Sequence, residues 1–134
     1  MSEAHRATLM DFYRAFNARD AEAATSRMTP DVDWPNDTTG GRERGPSAVR
    51  RTFEAQWRDS DPRIEPTAID FDGEGKAHVR VHEMIRSPAS DILEDRKIEH
   101  VFSFEGPFLG RLDVIPRDPD PEADEDGEEM GIVS

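Results

Sequence analysis

A chain of 134 residues, 34% hydrophobic and 35% charged, holds apolar material for one core and not for two. The absence of cysteine excludes disulfides, thiolate metal sites and a cysteine nucleophile, and a formal charge of −13 makes nucleic-acid phosphate a poor partner. No apolar run approaches the roughly 18 residues of a membrane span, and no charged-then-apolar leader opens the sequence, so a soluble cytoplasmic protein is expected.

Residues 4–18 repeat Ala7, Leu9, Met10, Phe12, Tyr13 and Phe16 at helical spacing, which predicts an amphipathic helix. Asn17 and Asp20 suit the end of that helix and the cap of the next, expected over 21–28 and stopped by Thr29-Pro30. Val32 and Trp34 alternate with charged neighbours in a short strand before Pro35, and Asn36 to Gly41 reads as a polar loop. Pro46 fits the first turn of a further helix, in which Val49, Phe53 and Trp57 recur every four residues.

The second half is strand-rich. Residues 64–71 lead into the turn Asp72-Gly73-Glu74-Gly75, and 76–86 return as a strand. After a loop around Pro88, residues 94–105 alternate with Ile98, His100, Phe102 and Phe104 on one face. Gly106-Pro107 turns the chain into a last strand, Leu109 to Ile115. Helices followed by a meandering antiparallel sheet indicate an α+β domain over 1–116. Residues 117–134 hold eight acids against Arg117, with Pro116, Pro119 and Pro121 at the root, and are expected to be a disordered acidic tail.

Three segments in order carry a family resemblance: Phe12-Tyr13-Arg14-Ala15-Phe16-Asn17-Ala18-Arg19-Asp20, Asp31-Val32-Asp33-Trp34-Pro35-Asn36 and Gly45-Pro46-Ser47-Ala48-Val49-Arg50. With the terminal Glu99-His100-Val101-Phe102-Ser103-Phe104 strand, they resemble the nuclear transport factor 2-like superfamily of ketosteroid isomerases and SnoaL-like polyketide cyclases. The resemblance covers roughly residues 5–115. It implies a cone-shaped, cystatin-like fold, with helices packed on a strongly curved antiparallel sheet around a hydrophobic pocket, and a homodimer paired through the outer sheet face.

The isomerase residues are not carried over. The place of the catalytic Asp before a proline is held by Trp34, the place of the Tyr by Phe12, and that of the protonated Asp by Glu99 or His100. Steroid isomerisation by that route is not expected. Alternation points Asp33 away from the Trp34 face.

His100, among apolar neighbours on its face, is expected to point into the cone, where a histidine suits general acid–base work. The same position suits a core histidine bonded to a carbonyl or carboxylate. Glu83 is in phase with Val79, Val81 and Ile85 and is also expected inward, with His100 as its partner. Tyr13, Trp34, Asn36, Trp57 and Phe102 complete the expected pocket, Tyr13 and Trp34 because each carries a polar hydrogen that wants a partner when buried. Arg42, Arg44, Arg50, Arg51 and Arg58 are expected on a solvated helix face. His78 and His82 are four apart, roughly 13 Å along a strand, too far for one tetrahedral metal site. No phosphate loop, nucleophile elbow or dinucleotide fingerprint is present, so no cofactor and no metal are expected.

Two functional classes follow. One is a SnoaL-like protein that binds a small hydrophobic carbonyl compound and isomerises, cyclises or dehydrates it with His100 and Glu83. The other is a non-catalytic small-molecule-binding or dimerisation module.

Overall fold

The computed structural model describes residues 3–36 and 39–116, so the acidic segment 117–134 lies outside the described residues. Helix α1 (Glu3–Asn17) forms where the sequence places it and buries Leu9, Phe12, Tyr13 and Phe16 along one stripe. Its last residue fixes its direction. The Asn17 amide donates from Nδ2 to the Ile64 carbonyl (2.7 Å) and accepts from the Ile64 amide (3.0 Å), so one side chain satisfies both groups of an edge-strand residue.

Asp20 caps α2 (Ala21–Thr25) by accepting from the Ala23 amide at 3.1 Å. This helix is shorter than the expected 21–28. Residue 28 opens β1 (Met28–Asn36), because Pro30 disfavours the helical region for the residue before it, and the Arg27 carbonyl already accepts from the Leu109 amide at 2.8 Å. At the two ends of the expected loop, Asn36 closes β1 and Gly41 opens β2 (Gly41–Arg44); Gly40 donates its amide to the Asn36 carbonyl at 2.8 Å in the turn between them, and the two strands pair antiparallel. Arg42 and Arg44 therefore lie on a strand and not on a helix face.

Gly45 turns the chain into α3 (Pro46–Asp59) with φ 89°, and a Cβ there would meet the Pro30 carbonyl at 3.3 Å, so both backbone and space favour glycine. Four strands follow: β3 (Asp61–Phe71), β4 (Ala77–Arg86), β5 (Ile92–Glu105) and β6 (Phe108–Pro116). They pair in antiparallel succession, and β1 joins β6 in parallel. The result is one curved, unclosed six-stranded sheet in the order β2-β1-β6-β5-β4-β3, with α1 and α3 on its inner face. This is the cone-shaped α+β fold expected from the sequence. The parallel β1–β6 contact was not read there, since it joins residues some eighty positions apart.

The core lies between helices and sheet. Val79 and Val81 of β4, Ile98 and Phe102 of β5, and Leu109 and Leu112 of β6 face Leu9, Phe12 and Phe16 of α1 and Val49 and Phe53 of α3. The outer face is polar and charge-paired. Asp33 accepts from Arg42 Nε (2.7 Å) and Arg111 (2.8 Å), and the Arg42 bond is the main cause that holds its carboxyl below the usual range. On the same face His78 bridges Glu99 (2.8 Å) and Asp72 in the β3–β4 turn (2.9 Å), and His82 reaches Asp95. The expected separation of the two histidines is thus filled by carboxylates of their own.

The two hydrogen bonds, first to Glu99 and then to Asp72, raise the His78 pKa above 6.5. The protonated imidazole therefore stabilises the fold fully below its unfolded pKa, and that contribution is lost as pH rises through the raised folded value. Replacing His78 with Gln is expected to lower Tm at about pH 5.5 and to have little effect at about pH 9.5, read from thermal unfolding across that range. An equal loss at both ends would show that protonation of the bridge is irrelevant.

Candidate active site

The site grows out of the aromatic stripe of α1. Phe12 packs edge-on against Trp34 of β1 (5.3 Å between ring centroids) and lies 6.2 Å from Phe53 of α3, while Phe16 meets Phe53 at 5.2 Å. These rings interlock at offset and edge-to-face distances, which fixes them as a wall. Beside the wall is a cavity of about 100 Å³, completed by Ile64, Leu112 and Val114 and by the polar side chains of Asn36, Thr52, Gln56, Glu83 and His100.

His100 is a buried polar group of this lining. It is 6% exposed, and its Nδ1 lies 2.7 Å from the Tyr13 hydroxyl, with the two rings parallel within 3°. Burial raises the Tyr13 pKa well above 10, so the phenol keeps its proton. Burial, followed by the nearby positive charge of Arg96, pushes His100 down to about 3, so the imidazole is neutral at any physiological pH. A neutral ring bears one N–H. If that hydrogen sat on Nδ1, the buried Tyr13 hydroxyl would have to accept and its own proton would lack an acceptor. The tautomer that satisfies both has Tyr13 donating to Nδ1 and the ring proton on Nε2.

Glu83 is likewise 6% exposed, and Arg96 Nε donates to its Oε1 at 2.6 Å. The expected Glu83–His100 hydrogen bond is replaced by two separate pairs, Tyr13–His100 and Arg96–Glu83. The register explains why: Glu83 lies opposite Arg96 and His100 opposite Val79. At the Trp34 end, Asn36 donates to Glu43 Oε2 at 2.8 Å.

Four of the residues singled out from sequence, His100, Glu83, Trp34 and Asn36, line the cavity together. Tyr13 stands behind His100. Phe102 is fully buried beneath, 6.1 Å from Trp34 and from Tyr13. Trp57 lies away from the lining, packed against Phe16 and Phe53 with the Arg19 guanidinium 5.7 Å over its ring. Its indole Nε1 is buried without a hydrogen-bond partner among the described residues. Arg96 and Gln56 were not anticipated. The signal for Arg96 was its phase with Ile98 and His100 on β5, which puts a cation on the inner face. For Gln56 it was its place between Phe53 and Trp57 on α3. Among the described residues no group of three or more His, Asp and Glu side chains is arranged to hold a metal.

Comparison with known proteins gives one family and a consistent fold. The model of the SnoaL-like domain matches residues 9–101. A candidate polyketide cyclase from Sinorhizobium meliloti is 22% identical with a TM-score of 0.69, covering 80% of this chain and 92% of that one. An NTF2-like protein of unknown function from Burkholderia pseudomallei is 21% identical with a TM-score of 0.74, covering 87% and 92%. A cystatin-fold protein from Novosphingobium aromaticivorans is 24% identical with a TM-score of 0.67, covering 86% and 98%. No curated protein matches the chain.

Removing the Tyr13 hydroxyl leaves the buried His100 Nδ1 without a donor. Tyr13→Phe is expected to cost about 1–3 kcal/mol in urea unfolding, and Tyr13→Phe/His100→Leu to recover part of that loss. Independent, additive losses would show that the two side chains do not act as a pair.

Proposed function

The chain belongs to the SnoaL-like domain family, and from that premise we propose that it binds a small hydrophobic carbonyl compound and moves a proton at the carbon next to the carbonyl. The observation that carries this reading is the sharing of one aromatic-walled cavity by a neutral His100 and an Arg96-paired Glu83. His100 Nε2–H donates to the carbonyl oxygen and keeps that bond as the oxygen gains charge in the enolate. Because Tyr13 holds the opposite ring nitrogen, the donor is oriented before the ligand arrives, which is the condition for electrostatic stabilisation of a developing oxyanion.

Glu83 is the base. Its Oε1 is held by Arg96, and the carboxylate takes the α-proton and returns it to the same carbon or to one further along a conjugated system. Return to a different carbon is isomerisation, and attack of the enolate on a second carbonyl is cyclisation. His100 acts as a hydrogen-bond donor and not as a titrating acid, since it stays neutral far above its lowered pKa of about 3. Phe12, Trp34 and Phe53 provide apolar walls in which both polar interactions strengthen.

Exchange of the α-protons of cyclopent-2-enone or butanone into D2O, followed by NMR, tests this directly. The wild-type chain is expected to accelerate exchange, and Glu83→Gln to reduce the acceleration by about 100-fold or more, with a thermal scan confirming that the variant folds. Ligand binding without exchange would assign the chain to the non-catalytic binding module. Exchange undiminished in Glu83→Gln would remove Glu83 from the base role.

A further inference from the structure

Polar groups reach the cavity from two sides. His100 and Glu83 project from the sheet, and Thr52 and Gln56 from α3. Most have partners within the protein. Thr52 donates its hydroxyl to the Ala48 carbonyl at 3.1 Å, His100 is bonded to Tyr13, and Glu83 is bonded to Arg96. The Gln56 side-chain amide differs: it is half-buried in the lining, and no side-chain hydrogen bond to another residue engages it among the described residues. A half-desolvated amide beside an aromatic wall gains nothing for the fold that an apolar side chain would not supply better. What it adds is a donor and an acceptor facing the ligand space.

Size narrows the ligand. At about 100 Å³ the cavity is smaller than the roughly 150 Å³ that accommodates a benzene ring. Phe12, Trp34 and Phe53 are no more than 4% exposed and locked against one another, so the wall yields little. Among the described residues the lining opens along its half-buried members, Pro35, Asn36, Thr52, Gln56 and Val114, and a ligand of one ring extends past the walls on that side.

We propose that Gln56 selects the ligand by bonding a second oxygen, so that the cavity takes a small enolisable carbonyl compound, open-chain or of one ring, bearing a second carbonyl or hydroxyl group. This rests on the proton-transfer reading and specifies its substrate class. The first oxygen accepts from His100 Nε2–H. The second accepts from the Gln56 NH2 if it is a carbonyl, or donates to the Gln56 oxygen if it is a hydroxyl. A site that hydrogen-bonds a ligand oxygen discriminates strongly against the analogue lacking it, because its own polar group is then left unpaired.

Pentane-2,4-dione and pentan-2-one form a matched pair that differs only in the second oxygen. Titrated into the full chain and followed by the His100 ring resonances, the dione is expected to bind about 10-fold or more tightly than the monoketone. Gln56→Leu and Gln56→Ala are each expected to bring the two dissociation constants to within about twofold. Equal binding of both ketones to the wild type, or a preference that survives in both variants, overturns the role of Gln56. A fused tricyclic dione that binds as tightly as pentane-2,4-dione overturns the size limit. If the ketones bind and Glu83-dependent exchange persists while the preference is absent, this inference fails and the proton-transfer reading stands. If neither ketone perturbs His100, both fail.

Discussion

The hydrogen bond from the Tyr13 hydroxyl to His100 Nδ1 is the constraint on which the site depends. It joins α1 to β5 through 2.7 Å inside an apolar core, where each of its groups would be costly without the other. It also sets the tautomer of the ring. By taking one ring nitrogen, Tyr13 commits the imidazole proton to the other, and the cavity acquires a fixed donor where an unpaired histidine would offer a choice of tautomers. The same burial that makes the pair structurally necessary holds His100 neutral and Tyr13 protonated, so the pairing and the protonation states share one cause.

The scaffold serves that pair by keeping opposite kinds of interaction on opposite faces of one sheet. The inner face carries mainly aliphatic and aromatic residues, with Glu83 and His100 at the cavity and Arg96 beside it. The outer face carries the Asp33–Arg42–Arg111–Asp113 cluster and the His78 bridge. The two buried or bridged histidines have opposite linkage. His100, lowered by burial, favours the fold above the unfolded pKa and loses that preference as pH falls, whereas His78, raised by its carboxylates, does the reverse. The pH window in which both contributions are present lies near neutrality.

Much of this fold was legible because its elements obey simple periods. The stripe Leu9, Phe12, Tyr13, Phe16 and the repeat Val49, Phe53, Trp57 place two helices, and alternation in 76–86 and 94–105 places Glu83 and His100 on the inner face. β2 escaped notice because Gly-Arg-Glu-Arg has no buried residue, and its strand character comes wholly from pairing with β1. The length of α2 was misjudged because alanines and Met28 look helical until the pairing of residues 27 and 28 with Leu109 overrides propensity. The site shows the same division. Alternation reveals which side chains face inward, but not which partner each finds. The bonding of His100 to Tyr13 joins residues 87 apart, and that of Glu83 to Arg96 is a matter of register. Membership of the SnoaL-like family accounts for the shared cone, while Trp34 stands before Pro35 where the isomerases carry a carboxylate.

The measurement that bears most directly on this account is the 15N NMR spectrum of the His100 ring between about pH 5 and pH 8. The account predicts an unchanging neutral Nε2–H tautomer across that range in the wild type, and loss of the single tautomer in Tyr13→Phe. A ring that titrates within the range, or that carries its proton on Nδ1, would contradict the assignment of His100 as a fixed donor set by Tyr13.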